Sequence, residues 1–205
     1  MNPFFVLDGI DGSGKSTQVG LLVEALRKDG RRVTQVRDPG GTAVSNKIRG
    51  LLLAGDSPVA PVAELCLYAA ARAQLVHEII RPALESGQIV VSDRFTWSTF
   101  AYQGAGRGLS KDSIARLEEI ACGGIRPAHI FVLDLVPEKR LARLRKKGGS
   151  PDRLEQENDD FFGRVRDGFL ALARENPALG TVVDASLTPE AVHEAILTDV
   201  RKLLT

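Results

Sequence analysis

Several things that announce a protein's class are scarce in these 205 residues, which hold two cysteines, one tryptophan, one methionine and a net charge of only +1. Two isolated thiols, Cys66 and Cys122, cannot make a disulfide framework or a sulfur-based metal cluster. Both stand among apolar or small residues and are expected to be buried and reduced, as in a cytoplasmic protein. The near-neutral balance excludes a global pull toward nucleic acid or membrane, so any basic site has to be local. No apolar run approaches the roughly 18 residues of a membrane span. The start, Met1-Asn2-Pro3-Phe4, leads into a strand without the basic stretch and cleavage site of a secretory leader. Repeats, low-complexity tracts and a domain linker are also missing, so a single domain over 1–205 is expected, long enough to bury a sizeable core.

What is present is concentrated in Gly9-Ile10-Asp11-Gly12-Ser13-Gly14-Lys15-Ser16, a full match to the phosphate-binding pattern G-x-x-x-x-G-K-[ST]. The apolar run Phe4-Phe5-Val6-Leu7 before it reads as a buried strand. Leu21, Leu22, Ala25 and Leu26 after it mark an amphipathic helix. The glycines let the backbone curl so that amide N–H groups of the loop and of the helix start, through Thr17, converge on one anion. Lys15 adds a mobile cation for the β- and γ-phosphates of ATP, and the Ser16 hydroxyl is a ligand for Mg²⁺.

Further along, the chain alternates strand and helix. Strands are expected at 31–36, 89–93, 130–135 and 181–184. Helices are expected at about 43–53, 61–86, 110–122, 137–147 and 189–204, and 152–155 leads into another that runs to about 174, with no element assigned to 95–108. That alternation implies a parallel sheet with helices on both faces, joined by right-handed crossovers. Ligands of such sheets bind off the carboxyl ends of the strands. Arg37 after the second strand, and Asp93 and Arg94 at the end of the third, are therefore candidate site residues. Asp93 can serve as a second Mg²⁺-binding acid, while Arg94 beside it suggests a second anionic substrate.

The phosphate loop by itself leaves kinases, GTPases and mechanical ATPases open. The chain's single Asn-Lys, Asn46-Lys47, continues as Ile48-Arg49 inside a helix, which argues against the Asn-Lys-x-Asp guanine reader of a GTPase. Beyond that point the chain resembles the thymidylate kinase family over nearly its whole length. The likeness is carried by Gly9 to Thr17, Arg37-Asp38-Pro39-Gly40-Gly41-Thr42, Tyr68-Ala69-Ala70-Ala71-Arg72, Asp93-Arg94-Phe95, Ala101-Tyr102-Gln103, Gly106-Arg107-Gly108 and Asp152-Arg153-Leu154-Glu155-Gln156. Each piece is moderately specific, and their order and spacing are highly so. The resemblance implies the three-layer α/β phosphate-loop kinase fold with five parallel strands in the order 2-3-1-4-5, a homodimer, and the reaction ATP + dTMP giving ADP + dTDP. It also implies roles. Asp11 faces the sugar 3′-hydroxyl and influences Mg²⁺ placement, and Arg94 and Arg37 sit by the acceptor phosphate. Tyr68 stacks on thymine, Arg72 reaches a base carbonyl and Thr99 the ring N–H. Tyr102 lies under the deoxyribose, where a 2′-hydroxyl would collide, and Ser98 and Gln103 complete the acceptor set.

Asp8 and Asp38 depart from the family, standing where many members carry Glu, and Trp97 fits no pattern. Some members carry an arginine inside the phosphate loop. Here those positions are Ile10, Asp11, Gly12 and Ser13, so the compensating cation is expected from a lid at about 143–156 with Gly148-Gly149-Ser150-Pro151 as its hinge. Arg143 and Lys147 share a helix face, whereas Arg145 points about 160° away from Arg143. Arg153 is expected first, Arg143 second, and Arg145 or Lys147 third. Three alternatives remain at this point: a kinase for another nucleoside monophosphate, an ATP-binding regulatory module, and nucleic-acid binding by the basic run at 139–147. Against the last, acids follow closely and the run holds no aromatic for base stacking.

Overall fold

A computed structural model describes residues 3–55, 58–147 and 152–204, the side chains of 141 and 145–147 excepted. Five short strands form one parallel sheet in the order β2-β3-β1-β4-β5, as the resemblance implied. The three inner strands, β1 (Phe4–Asp8), β3 (Ile89–Asp93) and β4 (His129–Asp134), are buried along nearly every residue. Both their faces are covered by helices, which is why each reads as an unbroken apolar run. The outer strands β2 (Val33–Arg37) and β5 (Gly180–Asp184) each keep exposed positions. Arg37 proves to be the last residue of β2, in register with Asp93 of β3, so the two side chains start from neighbouring strand ends.

α1 (Lys15–Lys28) starts directly after the phosphate loop and buries Val19, Leu22, Val23 and Leu26 against the sheet. α2 (Ala43–Leu53) begins at Thr42, whose hydroxyl accepts from the Ser45 amide. The helix expected over 61–86 is continuous but not uniform. α3 (Pro61–Leu75) passes through a π-helical turn, Val76–Ile80, into α4 (Arg81–Glu85). The stretch without an expected element is helical too: α5 (Thr96–Thr99) runs into a π-helical segment, Phe100–Gly106. Its small residues are there for contact rather than for a loop. A Cβ on Gly106 would lie 2.7 Å from the Phe161 ring, and one on Gly168 would lie 2.8 Å from the Ala105 Cβ.

After α6 (Lys111–Cys122) and α7 (Pro137–Lys147), α8 (Asp159–Glu175) starts beyond the 152–155 segment that leads into it. The Asp152 carboxylate accepts from the amides of Leu154 and Glu155, both at 2.9 Å, and that side-chain turn competes with helix. Asn158 then caps α8 through the Phe161 amide. α9 (Pro189–Leu203) closes the chain against α1.

Phe4, Phe5, Leu7, Phe131, Phe162 and Phe169 are fully buried at the centre, each burial worth about 1.5–3 kcal/mol. Trp97, without a role in sequence, fills the space over Gly180 at the start of β5. Of the two thiols, Cys122 is buried as expected but Cys66 is exposed on α3. The carboxyl ends of β1, β2 and β3 bring Asp8, Arg37 and Asp93 to one edge of the sheet, beside the phosphate loop.

Candidate active site

The loop's curvature is dictated by what lies behind it. Gly9 has φ 135°, and a Cβ there would come within 2.5 Å of the Leu133 carbonyl oxygen. Gly12, at φ 79°, faces the backbone of Arg140, with 3.2 Å from a Cβ to the carbonyl oxygen. Only glycine satisfies both the left-handed conformation and the close approach. Lys15 folds back to donate to the Ile10 carbonyl at 2.8 Å. Burial, helped by the positive Arg94, pushes the Lys15 ammonium down to about 8, despite Asp11, Asp93 and Asp8 nearby. The Ser16 hydroxyl donates to the Asp93 carboxylate at 2.6 Å, and Arg37 donates to Ser16 Oγ at 3.2 Å. A cavity of about 520 Å³ opens over the loop and extends to Leu187, Pro189 and Val192. Arg143 spans it, with Nη2 on the Ala185 carbonyl at 2.7 Å and Nη1 near the Gly12 carbonyl at 3.4 Å.

A narrower cavity, about 60 Å³, adjoins the first and is lined by Tyr68, Arg72, Ser98, Thr99, Tyr102 and Gln103 among others. The two share Asp11, Asp38, Arg49, Arg94 and Asp152 as common wall. Arg94 is the hinge of this arrangement. Among the described residues it is the one non-glycine with positive φ, 73°. Such a conformation costs about 1–2 kcal/mol and persists only where the surroundings over-determine it. They do: the guanidinium donates to the Gly9 carbonyl at 2.9 Å, Ser98 Oγ at 3.0 Å, Asp11 Oδ1 at 2.6 Å and the Tyr102 hydroxyl at 3.0 Å. Tyr102 donates in turn to Asp11 Oδ2 at 2.8 Å. Burial alone would raise the Asp11 pKa, but Arg94, Lys15 and these hydrogen bonds outweigh it and hold the carboxyl well below the usual range. Asp8 behaves oppositely. Its burial dominates Arg94 and the Ser98 hydrogen bond, and its carboxyl is pushed up to about 6.

Asp11 through Thr17 line the larger cavity, while Gly9 and Ile10 stand behind the loop, Gly9 against β4 and Ile10 in the core. Asp93 lines it with Ser16. Arg37 does so too and is absent from the narrower cavity, so it sits beside the Ser16–Asp93 pair rather than deep on the acceptor side. The remaining acceptor residues line the narrower cavity. Arg72 is more constrained there than a base-reading arginine needs to be. It is buried and donates to Asp38, Glu118, Thr99 Oγ1 and the Phe95 carbonyl, which engages four of its five N–H groups.

The largest displacement concerns Arg153. Its Nε donates to the Leu52 carbonyl at 2.9 Å and its Nη2 to Glu64 Oε2 at 2.5 Å, and it lines neither cavity. This placement does not support the role at the transferred phosphoryl expected for it. The expected hinge at 148–151 and the Arg145 and Lys147 side chains lie outside the described residues.

The thymidylate kinase family profile matches residues 7–196. The chain belongs to the thymidylate kinase family. It is similar to "Thymidylate kinase" of Chlorobaculum tepidum, 44% identical over 206 residues, covering 97% of this chain and 96% of that one. A relative of the same name from a Synechococcus strain, JA-2-3B'a(2-13), is 49% identical over 189 residues, covering 92% and 89%. Among solved structures, the thymidylate kinase from Ehrlichia chaffeensis superposes with a TM-score of 0.79 at 31% identity, covering 96% of this chain and 97% of that one.

In this family member, three residues of the site's surroundings were not singled out from sequence. Arg49 on α2 lines both cavities and donates to the Pro39 carbonyl at 3.1 Å. Burial lowers its pKa, and the positive charges of Arg37 and Arg94 lower it further. Cations that repel one another around an open cavity suit an anionic ligand. Its position in Lys47-Ile48-Arg49 gave no signal beyond helical register. Arg140 belongs to the basic run at 139–147, yet it is fully buried, its guanidinium 3.4 Å from the Phe162 ring centroid. Glu64 is a fully buried carboxylate that accepts from Gln103, Arg107 and Arg153. For a divalent cation, the Ser16 hydroxyl and the Asp93 carboxylate at the cavity wall are a hard oxygen pair. Among the described residues no cluster of three His, Cys, Asp or Glu could hold a metal by itself. Such a pair fits Mg²⁺, which takes one or two protein oxygens and leaves the rest to phosphates and water.

Proposed function

We infer that the chain transfers the γ-phosphoryl group of ATP to dTMP, forming ADP and dTDP as a precursor for DNA. The observation that carries this reading is the shared wall. A phosphate loop on one side and an aromatic, arginine-rich pocket on the other meet at Asp11 and Arg94. Phosphoryl transfer needs alignment and charge neutralisation more than covalent help. Lys15 and the loop amides receive the ATP phosphates, with Arg143 bridging the loop and the Ala185 segment from above. Arg94 and Arg49, which line both cavities, converge on the acceptor phosphate, with Arg37 beside the Ser16–Asp93 pair. Asp11, held ionised, orients Arg94 and Tyr102 and accepts a hydrogen bond from the sugar. Tyr68, Arg72, Ser98, Thr99 and Gln103 bound the base. Ser16 and Asp93 would hold Mg²⁺, which supplies further neutralisation of phosphate charge.

The same reading makes the chain one domain of a cytoplasmic homodimer. Supporting the pairing, Leu51 on α2, Val62 on α3 and Ile120 on α6 are 61%, 61% and 78% exposed on three helices packed side by side. None of the helices in the described residues is long and apolar enough to cross a membrane.

A coupled assay of ADP release, with Mg²⁺, ATP and a panel of dTMP, dUMP, UMP, CMP and AMP, tests the reaction. Turnover fastest with dTMP is expected. A different preferred acceptor would make this a kinase for another monophosphate, and nucleotide binding without acceptor-dependent ADP release would make it a regulatory binder.

A further inference from the structure

The turn at 152–157 is fastened far more firmly than a connection between two helices requires. Arg153 is the first fastening: its backbone N–H donates to the Leu53 carbonyl at 3.3 Å and its Nε to the Leu52 carbonyl, so it covers the last carbonyls of α2. Its Nη2 then reaches Glu64. Glu64 is 0% exposed and is shared by Gln103 Nε2 at 2.8 Å and by Arg107, whose Nε and Nη2 lie 3.2 Å from its two oxygens. Arg107 returns to the turn through Glu157 at 2.6 Å, and Arg140 Nη2 holds the Glu155 carbonyl at 2.9 Å. Three arginines from three parts of the chain thus meet at one turn, and one buried carboxylate joins two of them.

The turn reaches the acceptor side of the site through Leu154 and Asp152. Leu154, 6% exposed, lines only the narrower cavity, together with Tyr68 and Tyr102, whereas Asp152 lines both cavities and Glu155 the larger one. Glu64 stands one helical turn before Tyr68 on α3, and Arg153 seals the end of α2 one turn after Arg49. Glu64, Arg107 and Arg153 themselves line neither cavity, and their contacts tie the turn to α2 and α3, which carry walls of the acceptor cavity.

We propose that Glu64 and Arg153 are positioning residues for the acceptor nucleotide: their ion pair fixes the 152–157 turn so that Leu154 and Asp152 wall the dTMP pocket. This rests on the assignment of the narrower cavity to dTMP. A Glu64 that loses its charge leaves Arg153 without its carboxylate and Arg107 with Glu157 alone, and a lost Arg153 frees the turn from α2. Both changes loosen the acceptor walls while leaving the phosphate loop untouched.

The test compares Arg153→Gln and Glu64→Gln with the unmodified protein, by steady-state kinetics in both substrates and by calorimetric titration of dTMP without ATP. The proposal expects a KM and a Kd for dTMP raised about tenfold, the usual scale for a charge-assisted hydrogen bond. KM for ATP should stay within about twofold, and kcat at saturating dTMP should remain above about half. The double variant should be no worse than Glu64→Gln, because the two residues act as one unit. Should kcat fall at saturating dTMP with its KM unchanged, Arg153 acts on the phosphoryl group and the proposal is overturned. A lowered Tm with both KM values unchanged overturns it as well, leaving an anchor of purely structural value. Arg153 is partly exposed, so its variant remains readable where Glu64→Gln fails to fold. Unmodified protein that binds dTMP but releases no ADP would topple the kinase reading alone, since the calorimetric arm still decides the positioning role.

Discussion

Replacing Tyr102 by Phe separates two jobs that one side chain carries. The ring packs edge-on among Phe161, Phe162 and Phe169, with centroids at 6.2, 6.5 and 6.1 Å, and phenylalanine keeps that packing. Only the hydroxyl is lost, with its 2.8 Å bond to Asp11 and its 3.0 Å bond from Arg94. Hydrogen bonds to charged groups are worth about 1.5–3 kcal/mol. Asp11 would still be held by Arg94 at 2.6 Å and remain ionised at neutral pH. Its orientation would lose one of two anchors, and kcat/KM for dTMP should fall about 10- to 100-fold, the same range expressed as a rate. Discrimination against the 2′-hydroxyl should be preserved, because the ring still occupies the space. Steady-state ADP release with dTMP and ribothymidine monophosphate reads both quantities. Tyr102→Ala, assayed at low temperature because the cavity it opens costs about 3–5 kcal/mol, should then raise the ribo-to-deoxy ratio by roughly 1–3 kcal/mol. A Tyr102→Phe enzyme within twofold of normal would refute the hydroxyl's part, and an unchanged ratio in Tyr102→Ala would refute the ring as the sugar gate.

Three further substitutions probe the loop, the pH response and the packing. Lys15→Ala should fold and bind dTMP but lose about 10²-fold or more in turnover, as when a preorganised electrostatic group is removed; near-normal rates would remove the loop from the mechanism. Asp8, raised by burial from 3.8 to about 6, keeps a proton in the folded chain that the unfolded chain has released, so its contribution to stability falls as pH rises from about 4 to 6. At neutral pH the accumulated loss is on the order of 3 kcal/mol. Asp8→Asn should therefore raise Tm at pH 7.5 and flatten the difference from unmodified protein below pH 4, and a lower Tm at pH 7.5 would contradict the burial argument. Gly180→Ala would set a Cβ 2.3 Å from Trp97 and should destabilise the fold by roughly 1–3 kcal/mol with a shifted Trp97 emission, whereas an unshifted denaturation midpoint would mean that β5 gives way freely.

How far these features could be read beforehand depends on how local their cause is. The phosphate loop was legible because eight contiguous residues carry the whole device and its flanking strand and helix confirm it. The inner strands β1, β3 and β4 announced themselves as unbroken apolar runs, since burial on two faces leaves no polar positions to interrupt them. Other features misread for equally physical reasons. The small residues of 100–106 looked like a loop but serve close packing against α8, a partner more than fifty residues on. Arg140 sat in a run whose charge implied exposure, until Phe162 and the Glu155 carbonyl covered it.

By itself, then, the sequence determined the phosphate loop, the alternation of strand and helix, and, through its motifs, the family and the order of the sheet. The loop and the alternation depend on hydrogen bonds and periodicities that close within a few residues, whereas the sheet order was implied only by the family resemblance. The tertiary structure alone decided which charges meet. Arg153 and Glu64 are 89 positions apart, and Arg94 reaches Asp11 over 83. An arginine's partner is whichever carboxylate the packed elements bring within about 3 Å, and no spacing along the chain encodes that distance.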